Sequence, residues 1–166
     1  MVEVQLTNVR VDLQTNTPVV LLQELEGARR TLPIFIAAPE ATAIAFALQG
    51  VVTERPMTHD LMRDILGELG VTVERVVVTE LRQSTYFAEL HLRQGESRHT
   101  VSSRPSDAIA LAARTGTPIF VAEELLDLEG VVLAAQDDDE EPVNPEELVH
   151  QFREFIRDVK PEDFSS

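Results

Sequence analysis

The chain has 166 residues and a mass of 18.5 kDa, enough for one domain with its own core but cramped for two. Its 43% hydrophobic content supplies that core, and the lack of any cysteine excludes disulfides, thiolate metal sites and cysteine nucleophiles. Asp and Glu total 29 against 14 Lys and Arg, and the resulting charge of −15 disfavours passive adhesion to a nucleic-acid backbone or an anionic membrane.

No apolar run approaches the roughly 18 residues of a membrane span, and no basic segment opens the chain, so the expected location is the cytoplasm, with no membrane partner. All but one of the positive charges are arginine, a side chain suited to bidentate pairing with phosphate or carboxylate.

In chain order, Val2, Val4 and Leu6 alternate with polar residues, and Val9, Val11 and Leu13 continue on the opposite parity. A slip at Thr7–Asn8 therefore predicts a bulge or sharp twist in the first strand. Thr15-Asn16-Thr17-Pro18 is turn chemistry, and Val19 to Leu22 reads as a buried strand. A turn at Glu26-Gly27 leads into a strand over Thr31–Ile36, where Pro33 favours an edge position or the strand's beginning.

A nearly all-apolar helix is expected between Pro39 and Gly50, and a second begins at a capping Thr58. The second carries the stripe Leu61, Met62, Ile65, Leu66 and Leu69, and Gly70 ends it. A β block runs from Val71 to about Ser103 with turns near Gln83–Ser84 and Gln94–Gly95. Pro105 opens a third helix that Gly116 closes. Pro118–Ala122 reads as a short strand, Glu123–Leu128 as one or two helical turns, and Val131–Ala134 as a last strand.

Residues 136–143 form an acidic linker containing the five acids Asp137–Glu141. In 144–166, Asn144 caps a helix whose Leu148, Phe152, Phe155, Ile156 and Val159 fall at helical spacing. The expected fold is thus α+β: largely antiparallel or mixed sheets packed with about three core helices in residues 1–135, followed by a C-terminal amphipathic helix. That helix docks either in cis or on a neighbouring subunit.

Three polar clusters bear on chemistry. Arg55-Pro56-Met57-Thr58-His59-Asp60 puts an Arg, a Thr, a His and an Asp around one helix N-terminus, where free backbone N–H groups attract anions and a His can shuttle protons. Locally the same residues describe a capped helix with His59 on its surface. Arg104-Pro105-Ser106-Asp107 places Asp107 at the third helical position, able to reach back to the cap N–H; the same geometry offers Arg104 and Ser106 to a phosphate. Glu40 stands nearly alone on an apolar helix, while Glu89 and His91 share a strand face. The histidines show no metal-binding spacing, so a metal site would have to be built from carboxylates and would suit Mg²⁺ or Mn²⁺.

Arg55-Pro56-Met57-Thr58-His59-Asp60-Leu61-Met62 resembles a motif of the bifunctional nuclease family. So do Ser84–Leu90, Arg104–Ala112 and Pro118–Glu124, and Pro39-Glu40-Ala41 with its Ala-rich helix also fits, so that the resemblance covers about residues 2–133. It implies an enzyme that hydrolyses DNA and RNA and assembles as a homo-oligomer, a dimer or higher, with nucleic acid as a transient partner. The polar motif positions it singles out are Glu40, His59, Asp60, Glu89, Arg104 and Asp107.

On the nuclease reading, Arg55 and Arg104 clamp phosphate, with Ser106 and Glu89 alongside. Glu40, Asp60 and Asp107 hold Mg²⁺ or Mn²⁺ or activate water, and His59 is the acid or base. The alternative is a non-catalytic, oligomeric interaction or regulatory module of the same fold, in which these groups are structural or grip a small anion. The acidity of the chain suits that second reading.

Overall fold

The computed structural model describes residues 1–133 and His150. Its first three strands, β1 (Val2–Asp12), β2 (Thr17–Glu24) and β3 (Thr31–Phe35), form an antiparallel meander. The parity slip in β1 is a bulge: Leu6 pairs with Leu22 but Asn8 pairs with Leu21, leaving Thr7 as the extra residue. The Thr7 hydroxyl donates to Leu21 O at 3.2 Å, and the Val9 amide donates to Asn8 Oδ1 at 2.8 Å, so the irregular backbone is satisfied. The bulge also explains the sequence. Val4 and Val9 lie on opposite parities yet both enter the same core cluster, with Leu6 and Val11 packed against it. Pro33 sits in β3, which is an edge strand, as its missing N–H requires.

Helices α1 (Ala38–Leu48) and α2 (Thr58–Glu68) follow, then a second antiparallel meander of β4 (Val71–Arg82), β5 (Thr85–Gln94) and β6 (Ser97–Ser103). After α3 (Pro105–Thr115), the three-residue strand β7 (Ile119–Val121) joins the two meanders, running antiparallel to β1 and parallel to β4. The result is a seven-stranded mixed sheet in the order β3-β2-β1-β7-β4-β5-β6, with a last helix, α4 (Glu123–Glu129). The fold is α+β.

One face of this sheet carries the core. Val20, Leu22, Val76, Val78 and Val121 pack there with Ile44 of α1, Ile109 and Leu111 of α3, and Leu126 of α4. Each of these side chains contributes about 1.5–3 kcal/mol by leaving water. Gly116 ends α3 in the left-handed region at φ 67°, and the Thr117 hydroxyl then donates to Val73 O at 3.1 Å, which aims the chain into β7. Among the described residues no helix is long and apolar enough to cross a membrane.

Three local expectations come out differently. Met57, not Thr58, is the cap residue of α2, because the Asp60 carboxylate reaches back to accept the Met57 amide at 3.1 Å. Only Met62 and Leu66 of the α2 stripe pack on the core, while Leu61, Ile65 and Leu69 are exposed. Of the strand expected over Val131–Ala134, the described residues Val131–Leu133 show one antiparallel bridge, from Val131 to Thr31 of β3. The linker and the C-terminal helix expected at 136–166 lie outside the described residues, except for His150, which is helical and exposed.

Candidate functional site at three helix N-termini

Helices α1, α2 and α3 each carry an acid in the first turn: Glu40, Asp60 and Asp107. A carboxylate in that position complements the positive end of the helix dipole. Asp60 caps its own helix in the way described. Among the described residues Asp107 accepts no cap N–H. It turns instead to Arg104 and to a residue of another helix.

Arg104 is the hub. Its Nε donates to Asp107 Oδ2 at 2.7 Å, and its Nη2 donates to Asp107 Oδ1 at 3.0 Å and to Glu40 Oε1 at 2.8 Å. His59 Nε2 lies 3.0 Å from Asp107 Oδ1. An ionised carboxylate can only accept, so Nε2 is the donor in this contact. Glu40, His59, Arg104 and Asp107 therefore form one connected cluster, although 48 residues separate His59 from Asp107 and 64 separate Glu40 from Arg104.

The cluster is graded in depth. The His59 side chain is only 8% exposed, those of Glu40 and Asp107 14% and 25%, and that of Arg104 63%. Burial pushes the Asp107 carboxyl upward, but hydrogen bonds from Arg104 and His59 outweigh it and hold the group below its ordinary value. The Arg104 guanidinium is held still more firmly protonated by its bonds to Asp107 and Glu40. One oxygen of Glu40, Oε2, is buried without a hydrogen-bond partner among the described residues.

Asp60 is anchored apart from this cluster. Its Oδ1 accepts Arg114 Nε at 2.7 Å, and Arg114 also donates Nη1 to Ala110 O at 2.9 Å. The Arg114 side chain is 5% exposed. Burial would raise the Asp60 carboxyl, yet Arg114 and the Met57 amide together bring it below the usual value. The pair bolts the first turn of α2 onto α3, and that fixes where His59 points. Sequence reasoning missed Arg114. Its one local signal was a base in the last turn of α3, where cations favour the dipole.

The remaining predicted residues stand elsewhere. Arg55 is exposed in the segment before α2. Ser106 is buried in the first turn of α3. Glu89 lies on β5 and pairs with His91 at 3.3 Å, outside the cluster. A divalent cation does not fit the arrangement. Glu40 and Asp107 already share the Arg104 cation, Asp60 is spent on Arg114, and among the described residues no three His, Cys, Asp or Glu side chains are grouped to hold a metal.

The bifunctional nuclease domain profile matches residues 20–134. The chain is 40% identical to an uncharacterized protein of Mycobacterium tuberculosis over 167 residues, covering all of this chain and 99% of that one. It is 32% identical to Bifunctional nuclease 2 and 31% identical to Bifunctional nuclease 1, both of Arabidopsis thaliana. Those matches take in 68% and 69% of this chain but only 35% and 36% of the plant proteins. All the residues of the Glu40–His59–Arg104–Asp107 cluster fall inside the matched region, and the chain belongs to the bifunctional nuclease domain family.

Proposed function

We propose that the chain hydrolyses phosphodiester bonds in DNA and RNA at the cluster formed by Glu40, His59, Arg104 and Asp107. The observation that carries this reading is the convergence of those four side chains, from three separate helix N-termini, within a family whose plant relatives are named nucleases. Arg104 is the exposed member, and its outer edge binds the phosphate oxygens and offsets the charge that grows on them during attack. The Glu40 side chain is 14% exposed while its Oε2 is sealed from solvent, so Oε1, which Arg104 holds, accepts the proton of the attacking water. The water oxygen bonds to phosphorus, the bond to the leaving oxygen breaks, and that oxygen is protonated from solvent. His59 is too buried to touch a polymer; it acts through Asp107, whose orientation it fixes together with Arg104. Oligomerisation and a cytoplasmic setting belong to the same proposal.

A specific observation favours a second reading, a non-catalytic interaction module. Arg104 closes on Glu40 and Asp107, so the cluster as a whole carries two carboxylates against one guanidinium and leaves a formal −1 that repels a polyanion. Assays on supercoiled DNA and on RNA, with protein from two hosts, separate the two. Glu40→Gln and Asp107→Asn proteins that keep the parent melting temperature are expected to lose at least about 10²-fold in cleavage rate, the usual worth of a positioned acid or base. Equal cleavage by parent and variants, or none by either, leaves the module.

A further inference from the structure

The two edges of the sheet are unlike. β3 is guarded: it is five residues long, it carries Pro33, and Val131 bridges to Thr31 on its outer side. β6 has no such protection. It pairs with β5 over seven residues without a bulge, contains no proline, and leaves Ser97–Ser102 exposed. The two-residue turn Gly95-Glu96 closes on the pair Gln94–Ser97, so that pair is hydrogen-bonded and the bonding alternates from there. Ser97, His99, Val101 and Ser103 therefore turn their backbone groups to β5, while Arg98, Thr100 and Ser102 turn theirs outward. On the helix side the surface beside this edge is apolar. Val101, opposite Leu90 of the core, is 45% exposed. Helix α2 ends close by, where Gln94 Nε2 donates to Leu69 O at 2.9 Å, and its Leu61, Ile65 and Leu69 are open to solvent.

We infer that β6 pairs antiparallel with β6 of a second copy about a two-fold axis at Thr100, joining the two sheets into one; this assigns a surface to the oligomerisation proposed above and rests on it. The register is set by the strand's own residues. Centred on Thr100, all three outward residues are paired: Arg98 with Ser102 of the partner subunit, Thr100 with its own counterpart, and Ser102 with Arg98 of the partner subunit, each pair exchanging two hydrogen bonds. Centring on Arg98 would set two guanidinium groups opposite each other, and centring on Ser102 would leave Arg98 beyond the end of the ladder. Charge agrees. β6 holds none of the chain's 29 acids, so two copies of charge −15 approach here with little repulsion, and Arg98 already leans to Glu74 at 3.7 Å. At each end of the ladder the same register sets Arg104 level with Glu96 of the partner subunit, an opposite charge. A stable interface needs roughly 1,200–2,000 Å², more than a strand edge supplies, and Val101 with the open side of α2 extends it. Because Arg104 follows β6 directly, the two clusters stand at opposite ends of the shared ladder, about 27 Å apart by the rise of a strand.

Mass and cross-linking test this without reference to cleavage. By light scattering the full chain is expected to have the mass of at least two 18.5 kDa chains, and Thr100→Pro is expected to halve it. The Thr100 amide faces away from β5, so proline there spares the chain's own ladder, and retained circular dichroism checks that it does. The chain has no cysteine, which allows single-cysteine reporters. Under mild oxidation Thr100→Cys is expected to form a covalent dimer, because residues facing each other at the axis have Cα atoms about 5.5 Å apart. Ser102→Cys is expected to remain uncoupled, its counterpart being about 14 Å away along the ladder. An oligomeric parent in which Thr100→Cys fails to cross-link, or Ser102→Cys does so equally, overturns this pairing alone, as does an unchanged mass in a folded Thr100→Pro protein. A monomeric parent overturns the pairing together with the oligomerisation proposed above. If that monomer binds a single-stranded DNA oligonucleotide and Thr100→Pro abolishes the binding, the edge belongs to nucleic acid instead.

Discussion

Replacing Arg114 with Leu tests whether the Asp60–Arg114 pair holds α2 in place. The change deletes the 2.7 Å bond to Asp60 Oδ1 and the 2.9 Å bond to Ala110 O, and it strands a carboxylate that is only 22% exposed. Removing one partner of a buried pair costs about 3–5 kcal/mol; because Asp60 keeps some water and the Met57 amide, about 2–3 kcal/mol is expected here. For a chain of this size that corresponds to a fall of about 4–12 °C in melting temperature. The pH dependence follows from the depressed Asp60 carboxyl. A group held below its unfolded value stabilises the fold above that unfolded value, near 3.9 for Asp, and its contribution fades as the pH falls through the folded value. The gap between parent and variant should therefore be widest at neutral pH and narrow in acid. Urea unfolding followed by circular dichroism at pH 7 and at pH 3 measures both gaps. Adding Asp60→Asn to the variant should restore part of the loss at pH 7 by removing the stranded charge. A gap below about 0.5 kcal/mol at pH 7, within the range of ordinary surface substitutions, or one of equal size at both pH values, refutes the reasoning.

Other expectations are as direct. On the nuclease reading, cleavage should persist in EDTA, since both of the site's carboxylates already share Arg104 as their cation; a tenfold or greater loss that Mg²⁺ restores would show that Arg104 yields its place to a cation. Gly130→Ala should destabilise the protein by about 1–3 kcal/mol, read from denaturant midpoints, because a Cβ there meets the Leu126 carbonyl oxygen at 2.3 Å and only backbone can move away. In ¹⁵N spectra at neutral pH, His59 should show its proton on Nε2, and Asp107→Ala should release that preference; an Nδ1–H ring in the parent protein contradicts the hydrogen bond. Disrupting the Glu24–Arg30 pair with Arg30→Met should lower the melting temperature at pH 7 and by less in acid. Glu24 is buried, and its carboxyl is depressed chiefly by the Arg30 hydrogen bond, so its contribution is likewise lost as the pH falls.

Much of the fold was legible in the chain because its signals are local. The parity slip in β1, the edge proline in β3 and the glycine that ends α3 each name a backbone event at the residue that undergoes it. The α2 stripe shows where such signals stop. Periodicity marks an apolar face but says nothing of its depth, and Leu61, Ile65 and Leu69 remain open to solvent. The site was legible as a set of residue types and no further. Asp60 and Asp107 occupy equivalent positions in equivalent first turns, yet one caps its helix and the other binds Arg104 and His59. What separates them is the packing of α2 and α1 against α3, and that is written in no single stretch of sequence. Arg114, which helps set that packing, looked from the sequence like an ordinary last-turn base.

The three residues of β7 are the seam between two otherwise separate meanders. Each meander can zip up from its own hairpins, whereas the seam closes only after α3 has formed and turned the chain back at Gly116. Folding should therefore have a late, slow step at this join, where contacts far apart in the chain must be made together. The helix ends that build the cluster come from both sides of it: α1 follows the first meander, while α2 and α3 flank the second. A polypeptide severed between α1 and α2 would thus yield two halves, each with only part of the cluster, whose reunion, and nothing short of it, reconstitutes Glu40 beside Arg104.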